Sequence, residues 1–528
     1  MKRYYFKISS LRFILLSALI SVGYNYTFLS KIYVAAGVLF CLLTGIILFC
    51  IFCGAYSVLF LKKLEKWLAA FFIVGNLAAL YFMQTYNVAV DKVMMLNVFQ
   101  TDTAEVEGLL SAEMIAFTVF FCILPLFLLS KTQVEYATFR REGKIRLAVI
   151  AAAGILSGLI ILPFASRLDT FVQEHKRLLY TLMPSNYIDS TVSALKIMHK
   201  HHDFRPLDKK AELNAYWKDN GRKNLFIVIV GESARAANFS LNGYGRDTNK
   251  ALRPFAKEMM IFKKAQACGT STAISVPCLF SPYERTNFVA GSSSYTENVL
   301  DVLAYNGYQL LWRENNSSCK GNCNRIPTEI FCQNGKCYDE LMNNDIAEKV
   351  QTMGDKAVIV LHQHGSHGPD YFLRYPEEFE IYKPVCKDEV LKNCALRQIR
   401  NTYDNSIAYT SHVVADLLRK LQPLEDKYNL VVIYTSDHGE SLGEDDMYLH
   451  SAVYDYAPDY QKEVPFWVWM PDSAVKNMNY SRSCLRRQSQ KQISHDNLFH
   501  SLLGLAGVEI KHYRSDLDIF APCRQSKR

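Results

Sequence analysis

Five apolar segments crowd into the first 165 residues of this chain, and each is long enough to cross a bilayer as a helix, which takes about 20 residues. They run from Leu11 to Leu29, Tyr33 to Leu61, Leu68 to Tyr86, Ala112 to Leu129 and Leu147 to Phe164. Four further spans follow the first, so it does not read as a cleaved signal peptide. The connecting loops predict an orientation. Lys2, Arg3 and Lys7 precede the first span, Lys62, Lys63 and Lys66 join the second to the third, and Lys131, Arg140, Arg141, Lys144 and Arg146 join the fourth to the fifth. The opposite loops carry little more than Lys31 and Lys92. By the positive-inside rule the N-terminus is cytoplasmic, and an odd number of spans puts everything after residue 165 on the outer side.

The cysteines support the same compartment from different residues. Of the fourteen, Cys41, Cys50, Cys53 and Cys122 fall inside apolar runs, and the other ten lie beyond residue 265. Close spacing suggests Cys268 with Cys278, Cys319 with Cys323, Cys332 with Cys337 and Cys386 with Cys394, leaving Cys484 and Cys523 as a fifth pair. An even number confined to one region favours disulfides in an oxidising compartment. Zinc-binding thiols fit less well, because none of those ten forms a CxxC pair. The net charge of +8 sits largely in the short membrane loops, and no Lys/Arg-rich stretch with interleaved aromatics is present, so no nucleic-acid partner is expected.

Three regions follow: a transmembrane domain over 1–164, a connector over 165–215 and a soluble domain over 216–528. In the connector, Leu168, Phe171, His175 and Leu178 recur at helical spacing, as in an amphipathic helix lying on the membrane surface. An ordinary linker helix packed on the soluble domain fits the same pattern. Residues 87–111 are polar enough for the outer interface. From about residue 216, short apolar runs alternate with helical stretches: Asn224–Val230, Ala357–Leu361, Leu430–Tyr434 and Phe466–Met470. Continuous runs of this kind suit strands buried on both faces of a parallel sheet flanked by helices. Chemistry in such sheets collects past the carboxyl ends of the strands, so the residues following the runs are the ones to inspect.

After the first run comes Gly231-Glu232-Ser233-Ala234-Arg235, and after the third Ser436-Asp437-His438-Gly439-Glu440. A carboxylate at one strand end and an Asp-His pair at another can converge on one cation, with the oxygen and imidazole ligands zinc accepts. The segment Cys268-Gly269-Thr270-Ser271-Thr272-Ala273-Ile274-Ser275-Val276-Pro277-Cys278 groups hydroxyls that could open a helix and offer a nucleophile with backbone N–H groups nearby for a phosphate. The same cluster equally fits a plain N-cap, and spacing does not choose between Thr270 and Thr272. His362-Gln363-His364-Gly365-Ser366-His367 follows another run, and His450 lies shortly past the Asp-His pair; such histidines suit phosphate contacts, a proton donor or a further metal position. Asn316 and Lys320 stand beside Cys319 in a loop suited to gripping a phosphate, or in a merely solvated one.

The GESARAANFSLNGYGRDTN segment, the CGTSTAISVPC loop, WRENNSSCKGNC, HGSHGP and SDHGESLGE followed by YLH together resemble the lipid A phosphoethanolamine transferases, which include the mobile colistin-resistance enzymes. The resemblance spans essentially the whole chain. It implies an N-terminal five-helix α-helical transmembrane domain plus a C-terminal α/β domain of alkaline phosphatase/sulfatase-like fold, in the bacterial inner membrane with the catalytic domain in the periplasm. By motif, Glu232, Thr272, Asp437 and His438 resemble the zinc ligands, Thr272 being also the nucleophile. Asn316, Lys320, His367 and His450 resemble the phosphoethanolamine-binding set, with His367 or His450 protonating the leaving group. Ser233, Lys250 and Ser451 depart from the usual Thr, Pro and Gly without removing a ligand. The implied activity moves phosphoethanolamine from phosphatidylethanolamine to a phosphate of lipid A through a threonine intermediate, conferring resistance to polymyxin and other cationic peptides; a monomer is expected. The rivals are a transferase acting on lipopolysaccharide core or another glycan, a phosphatase or sulfatase of the same fold, and a non-enzymatic membrane sensor.

Overall fold

A computed structural model of the protein describes residues 6–100, 111–199, 203–207, 212–213, 222–331 and 338–525. Its contacts divide into two units, Met1–Met95 with Leu110–Ala194, and Leu96–Leu109 with Leu195–Arg528.

The first unit is helical: α1 (Ser10–Tyr24), α2 (Tyr26–Leu59), α3 (Glu65–Thr85), α4 (Ala112–Lys131) and α5 (Phe139–Glu174). All five apolar runs are helical, but their boundaries shift. Among the described residues four helices, α2 to α5, are long and apolar enough to cross a membrane, and α1 is a shorter apolar helix of 15 residues. The first run is divided at Asn25, whose side chain donates to the Ser21 carbonyl and accepts from the Met183 N–H, competing with the helical ladder. A second break comes not between the first two runs but inside the second, at Gly37, which stands at φ 83° within α2. The fifth run lies in a helix that continues to Glu174. Leu159 and Leu162 on α5 and Val34 on α2 are exposed, as apolar side chains are where lipid is the solvent. At the other end of α2, the Arg146 guanidinium donates to the carbonyls of Ser57 and Phe60 at 2.7 and 2.6 Å, satisfying helix-terminal acceptors that have no intrahelical donor.

The second unit is built on a seven-stranded mixed sheet: β1 (Lys223–Gly231), β2 (Met259–Phe262), β3 (Gln309–Glu314), β4 (Thr328–Ile330), β5 (Lys356–His362), β6 (Tyr428–Ser436) and β7 (Phe466–Trp469). The spatial order is β2-β7-β6-β1-β5-β3-β4. Strands β6, β1, β5, β3 and β4 are mutually parallel, as the continuous apolar runs predict. The Phe466–Met470 run departs from that expectation, because β7 pairs antiparallel with β6 and with β2. Parallel pairing needs a crossover to the opposite end of the sheet. The segment after β6 instead folds at the carboxyl end and re-enters the sheet from there. Leu225 to Val230 of β1 are all fully buried, each contributing about 1.5–3 kcal/mol of apolar burial. Helix α6 (Thr272–Leu279) packs Val276 and Leu279 into the core that includes Phe226 and Val228 of β1.

Disulfides join Cys268 to Cys278, Cys319 to Cys323 and Cys386 to Cys394, as spacing suggests, and Cys484 to Cys523, the pair left over. The Cys332–Cys337 pair lies outside the described residues. The four cysteines of the apolar runs are free.

Candidate active site

Parallel register brings the candidate ligands together. Ser436 at the end of β6 is opposite Gly231 at the end of β1, so Asp437 and Glu232, one residue on, leave the sheet side by side. The Asp437 N–H donates to the Gly231 carbonyl at 2.9 Å, and Asp437 Oδ1 accepts from the N–H groups of Ser233 and His438. Those bonds fix the carboxylate and leave its Oδ2, which is buried, with no hydrogen bond. His438 Nδ1 donates to the Gly439 carbonyl at 2.9 Å, which orients the ring so that Nε2 lies 3.3 Å from Glu232 Oε1 and 3.2 Å from Asp437 Oδ2. Ligand atoms of Glu232, Asp437 and His438 all fall within 4.8 Å of one another, in full burial.

Two carboxylates this close in a buried pocket repel. Burial, and then the Glu232 carboxylate, push Asp437 up to about 7. Burial alone would raise Glu232 too, but the imidazoles of His438, His367 and His450 override it and hold that carboxyl well below the usual range. Burial works against a charge on His438, yet Asp437 and Glu232 together push it up to about 10. The pocket demands positive charge between its carboxylates, and with the orphaned Asp437 Oδ2 its oxygen and imidazole donors fit a divalent metal ion.

Thr272 opens α6 beside these groups. Its Oγ1 donates to Glu232 Oε2 at 3.1 Å and lies 3.4 Å from His438 Nε2. The loop before it is tightly held: the Gly269 N–H donates to Ser275 Oγ at 2.9 Å, and the Cys268–Cys278 bond closes it from the other side of the helix. Thr270, which spacing left equal to Thr272, uses its hydroxyl elsewhere, donating to the Ala452 carbonyl at 2.6 Å.

The other predicted residues gather less evenly. The Asn316 side-chain amide donates to Glu232 Oε2 at 2.8 Å and to the Gln363 carbonyl at 2.9 Å. Lys320, inside the loop closed by Cys319 and Cys323, donates from Nζ to Ser317 Oγ just before that loop. The rings of His367 and His450 are 5.6 Å apart, and His450 is 4.3 Å from His438. The His367 loop reaches the metal pocket because Gly365 stands at φ 53° with Glu232 against it; a Cβ at Gly365 would lie 2.7 Å from the Glu232 carbonyl oxygen. The Ser366 N–H then donates to that carbonyl at 3.0 Å.

Three contributors escaped the sequence reading. Glu440 is buried beneath His450, 3.1 Å from its Nδ1, and burial pushes its carboxyl up to about 8. It lies two residues past His438 in a quoted motif, which was a usable signal. Asn97, between the third and fourth apolar runs, donates to Ser451 Oγ next to His450 at 2.7 Å, a pairing with no local signal. The third is Glu314, which turns His362, a candidate phosphate or metal contact by sequence, away from that role by pairing with its Nδ1 at 2.8 Å.

A mixed sheet with an acidic and imidazole pocket beside a helix-opening threonine defines a sulfatase-type enzyme domain, and the Sulfatase family matches residues 224–508. The family described as phosphoethanolamine transferase EptA/EptB matches residues 48–198. The chain is 37% identical over 476 residues to phosphoethanolamine transferase EptA of Escherichia coli, covering 88% of this chain and 86% of that protein. It is 34% identical over 412 residues to the Escherichia coli phosphatidylethanolamine transferase Mcr-1, covering 74% and 75% of the two. The solved structure of the integral membrane lipooligosaccharide phosphoethanolamine transferase A from Neisseria meningitidis superposes with a TM-score of 0.94 at 31% identity, over 99% of this chain and 100% of that one. The chain therefore belongs to the EptA family of phosphoethanolamine transferases.

Proposed function

We propose that the enzyme transfers phosphoethanolamine from phosphatidylethanolamine to a phosphate of lipid A by double displacement at Thr272, and that it works as a monomer in the bacterial inner membrane with its catalytic domain in the periplasm. The placement of the Thr272 hydroxyl, 3.1 Å from Glu232 Oε2 and 3.4 Å from His438 Nε2, carries the reading. Zinc held by Glu232, Asp437, His438 and Thr272 would lower the pKa of the threonine hydroxyl and neutralise charge on the phosphoryl oxygens. In the first step Thr272 Oγ1, its proton released to solvent, forms a bond to the donor phosphorus, the bond to the diacylglycerol oxygen breaks, and His367 or His450 supplies that oxygen with a proton. In the second step a lipid A phosphate oxygen attacks the same phosphorus and Thr272 leaves. Asn316 and Lys320 bind the phosphoethanolamine group, Lys320 by charge. Two lipid substrates give the transmembrane helices a purpose, since neither leaves the bilayer easily. The added amine lowers the anionic charge of lipid A and so weakens binding of polymyxin and other cationic peptides.

Intact-mass measurement after incubation with phosphatidylethanolamine tests the nucleophile. The wild type should acquire one phosphoethanolamine adduct and Thr272→Ala none. An adduct retained in Thr272→Ala would overturn the assignment. Adding labelled lipid A should discharge the adduct onto the acceptor, whereas release as free phosphoethanolamine would make the enzyme a hydrolase.

A further inference from the structure

Strand β3 carries Trp312 and Glu314 two residues apart, so both side chains point to one face of the sheet. Glu314 is paired in register with His362 on β5, and β5 is the neighbour of β1, whose end bears Glu232. All three side chains are buried, Glu314 at 3% exposure and Trp312 and His362 at 0%. The Glu314 carboxylate accepts three donors. Trp312 Nε1 donates to Oε2 at 2.8 Å, His362 Nδ1 lies 2.8 Å from Oε1, and the Asn316 backbone N–H donates to Oε1 at 2.8 Å. A buried carboxylate so held has one orientation.

The last of these bonds reaches the active site. Fixing the Asn316 backbone directs its side chain, whose Nδ2 donates to Glu232 Oε2 and to the Gln363 carbonyl while Oδ1 accepts from the Ser317 N–H at 2.6 Å. Glu232 Oε2 is also the acceptor for the Thr272 hydroxyl. We infer that Glu314, braced by His362 and Trp312, is a positioning residue that acts through Asn316 to set the Glu232 carboxylate and hence the Thr272 hydroxyl. Glu314 touches no reacting atom; its effect reaches Glu232 over two hydrogen bonds and Thr272 over a third. Partners behind metal-site carboxylates orient them in this way, and losing one commonly costs 10–100-fold in affinity or activity. The inference rests on the proposed roles of Glu232 and Thr272.

The test uses the full-length protein in detergent with phosphatidylethanolamine and labelled lipid A, comparing Glu314→Gln, Asn316→Ala and the double variant. Glu314→Gln should lower kcat by about 10–100-fold with KM for the donor within about threefold, and weaken zinc in chelator competition by about tenfold. Added to Asn316→Ala, it should cost less than about a further threefold, because both act on one link. Activity within twofold of wild type, or a double-variant loss equal to the product of the single losses, would overturn the inference. Should Glu314→Gln not fold, Trp312→Phe withdraws one donor while keeping the carboxylate and most of the ring packing. It should lower kcat about 3–10-fold, and wild-type kcat in that variant would count equally against the inference. If the wild type moves no label, the transferase reading fails, while the zinc competition still reports on Glu314.

Discussion

Thr272 Oγ1 stands 3.1 Å from Glu232 Oε2, so the hydroxyl is aimed at the same carboxylate that faces Asp437 and His438 across the pocket. A hydroxyl held this way feels the charge state of its pocket, so the proposed mechanism ties its reactivity to the proposed metal.

That dependence predicts opposite stability responses with and without metal. At about 100 times its Kd, zinc should stabilise the wild type by roughly 2.7 kcal/mol, seen as a rise in Tm that a chelator reverses. Asp437→Asn removes one of two repelling buried carboxylates. Its metal-free form should melt above the metal-free wild type, and its Tm should ignore zinc and chelator alike. Thermal melts of both proteins in zinc and in chelator check this, and a zinc-dependent Tm in Asp437→Asn would refute the ligand assignment.

Asn316 offers a sharper electrostatic comparison. Asn316→Ala removes a hydrogen bond of about 1–3 kcal/mol to a charged oxygen, a loss of up to about 100-fold in kcat. Asn316→Asp is nearly isosteric but sets a second carboxylate where the amide meets Glu232 at 2.8 Å. It should be the worse variant, by a further tenfold or more. Equal rates for the two in labelled-acceptor assays would show that the amide's donated bond is not what matters.

Two buried histidines predict loss of stability in acid. His495 Nδ1 accepts from the Cys268 N–H and His500 Nδ1 from the Arg514 N–H, so neither nitrogen has room for a second proton. Burial pushes His495 down to about 3 and, with Arg514 adding to it, His500 down to about 4. The unfolded chain, at about 6.5, binds more protons in this range. Stability from both residues is therefore complete above pH 6.5 and declines as pH falls toward 4, by up to about 3 kcal/mol each at pH 4.5. Buried Asp518 and Asp404, raised chiefly by burial, titrate in the opposite sense. The measurement is therefore the difference between wild-type and His500→Gln denaturation profiles, which should narrow on acidification. A constant difference from pH 7 to 4.5 would exclude the titration.

The disulfide behind Thr272 should matter to both stability and rate. Cys268 and Cys278 are ten residues apart, so closing their loop stabilises the fold by about 3 kcal/mol in the chain-entropy picture. The Cys268→Ala/Cys278→Ala protein should lose roughly that in urea denaturation. Its kcat should fall more than its KM rises, because the loop that sets Thr272 is loosened. Unchanged kcat in a folded double variant would show that Gly269 and Ser275 suffice to hold the helix start.

Much of this was legible from local pattern. Apolar runs of about 20 residues can only be helices in lipid, and runs of four to seven apolar residues before Gly-Glu or Asp-His marked buried strand ends. Direction was not local. The Phe466–Met470 run reads like its parallel neighbours, yet β7 runs antiparallel because of where the intervening segment folds.

The sequence by itself determined a membrane-embedded N-terminal region, a buried sheet beyond it, and a small set of acidic, imidazole and hydroxyl residues at its strand ends. Composition and spacing suffice for these, since each follows from burial of a contiguous stretch. Only the tertiary structure decided that Thr272 meets Glu232 while Thr270 turns to Ala452, and that Glu314, His362 and Asn316 form one chain of contacts behind the pocket. Apart from the local Glu314–Asn316 bond, those choices depend on strand register and loop closure between residues 40 or more apart, and hydrogen bonds of about 3 Å are set by that geometry, which residue order alone does not specify.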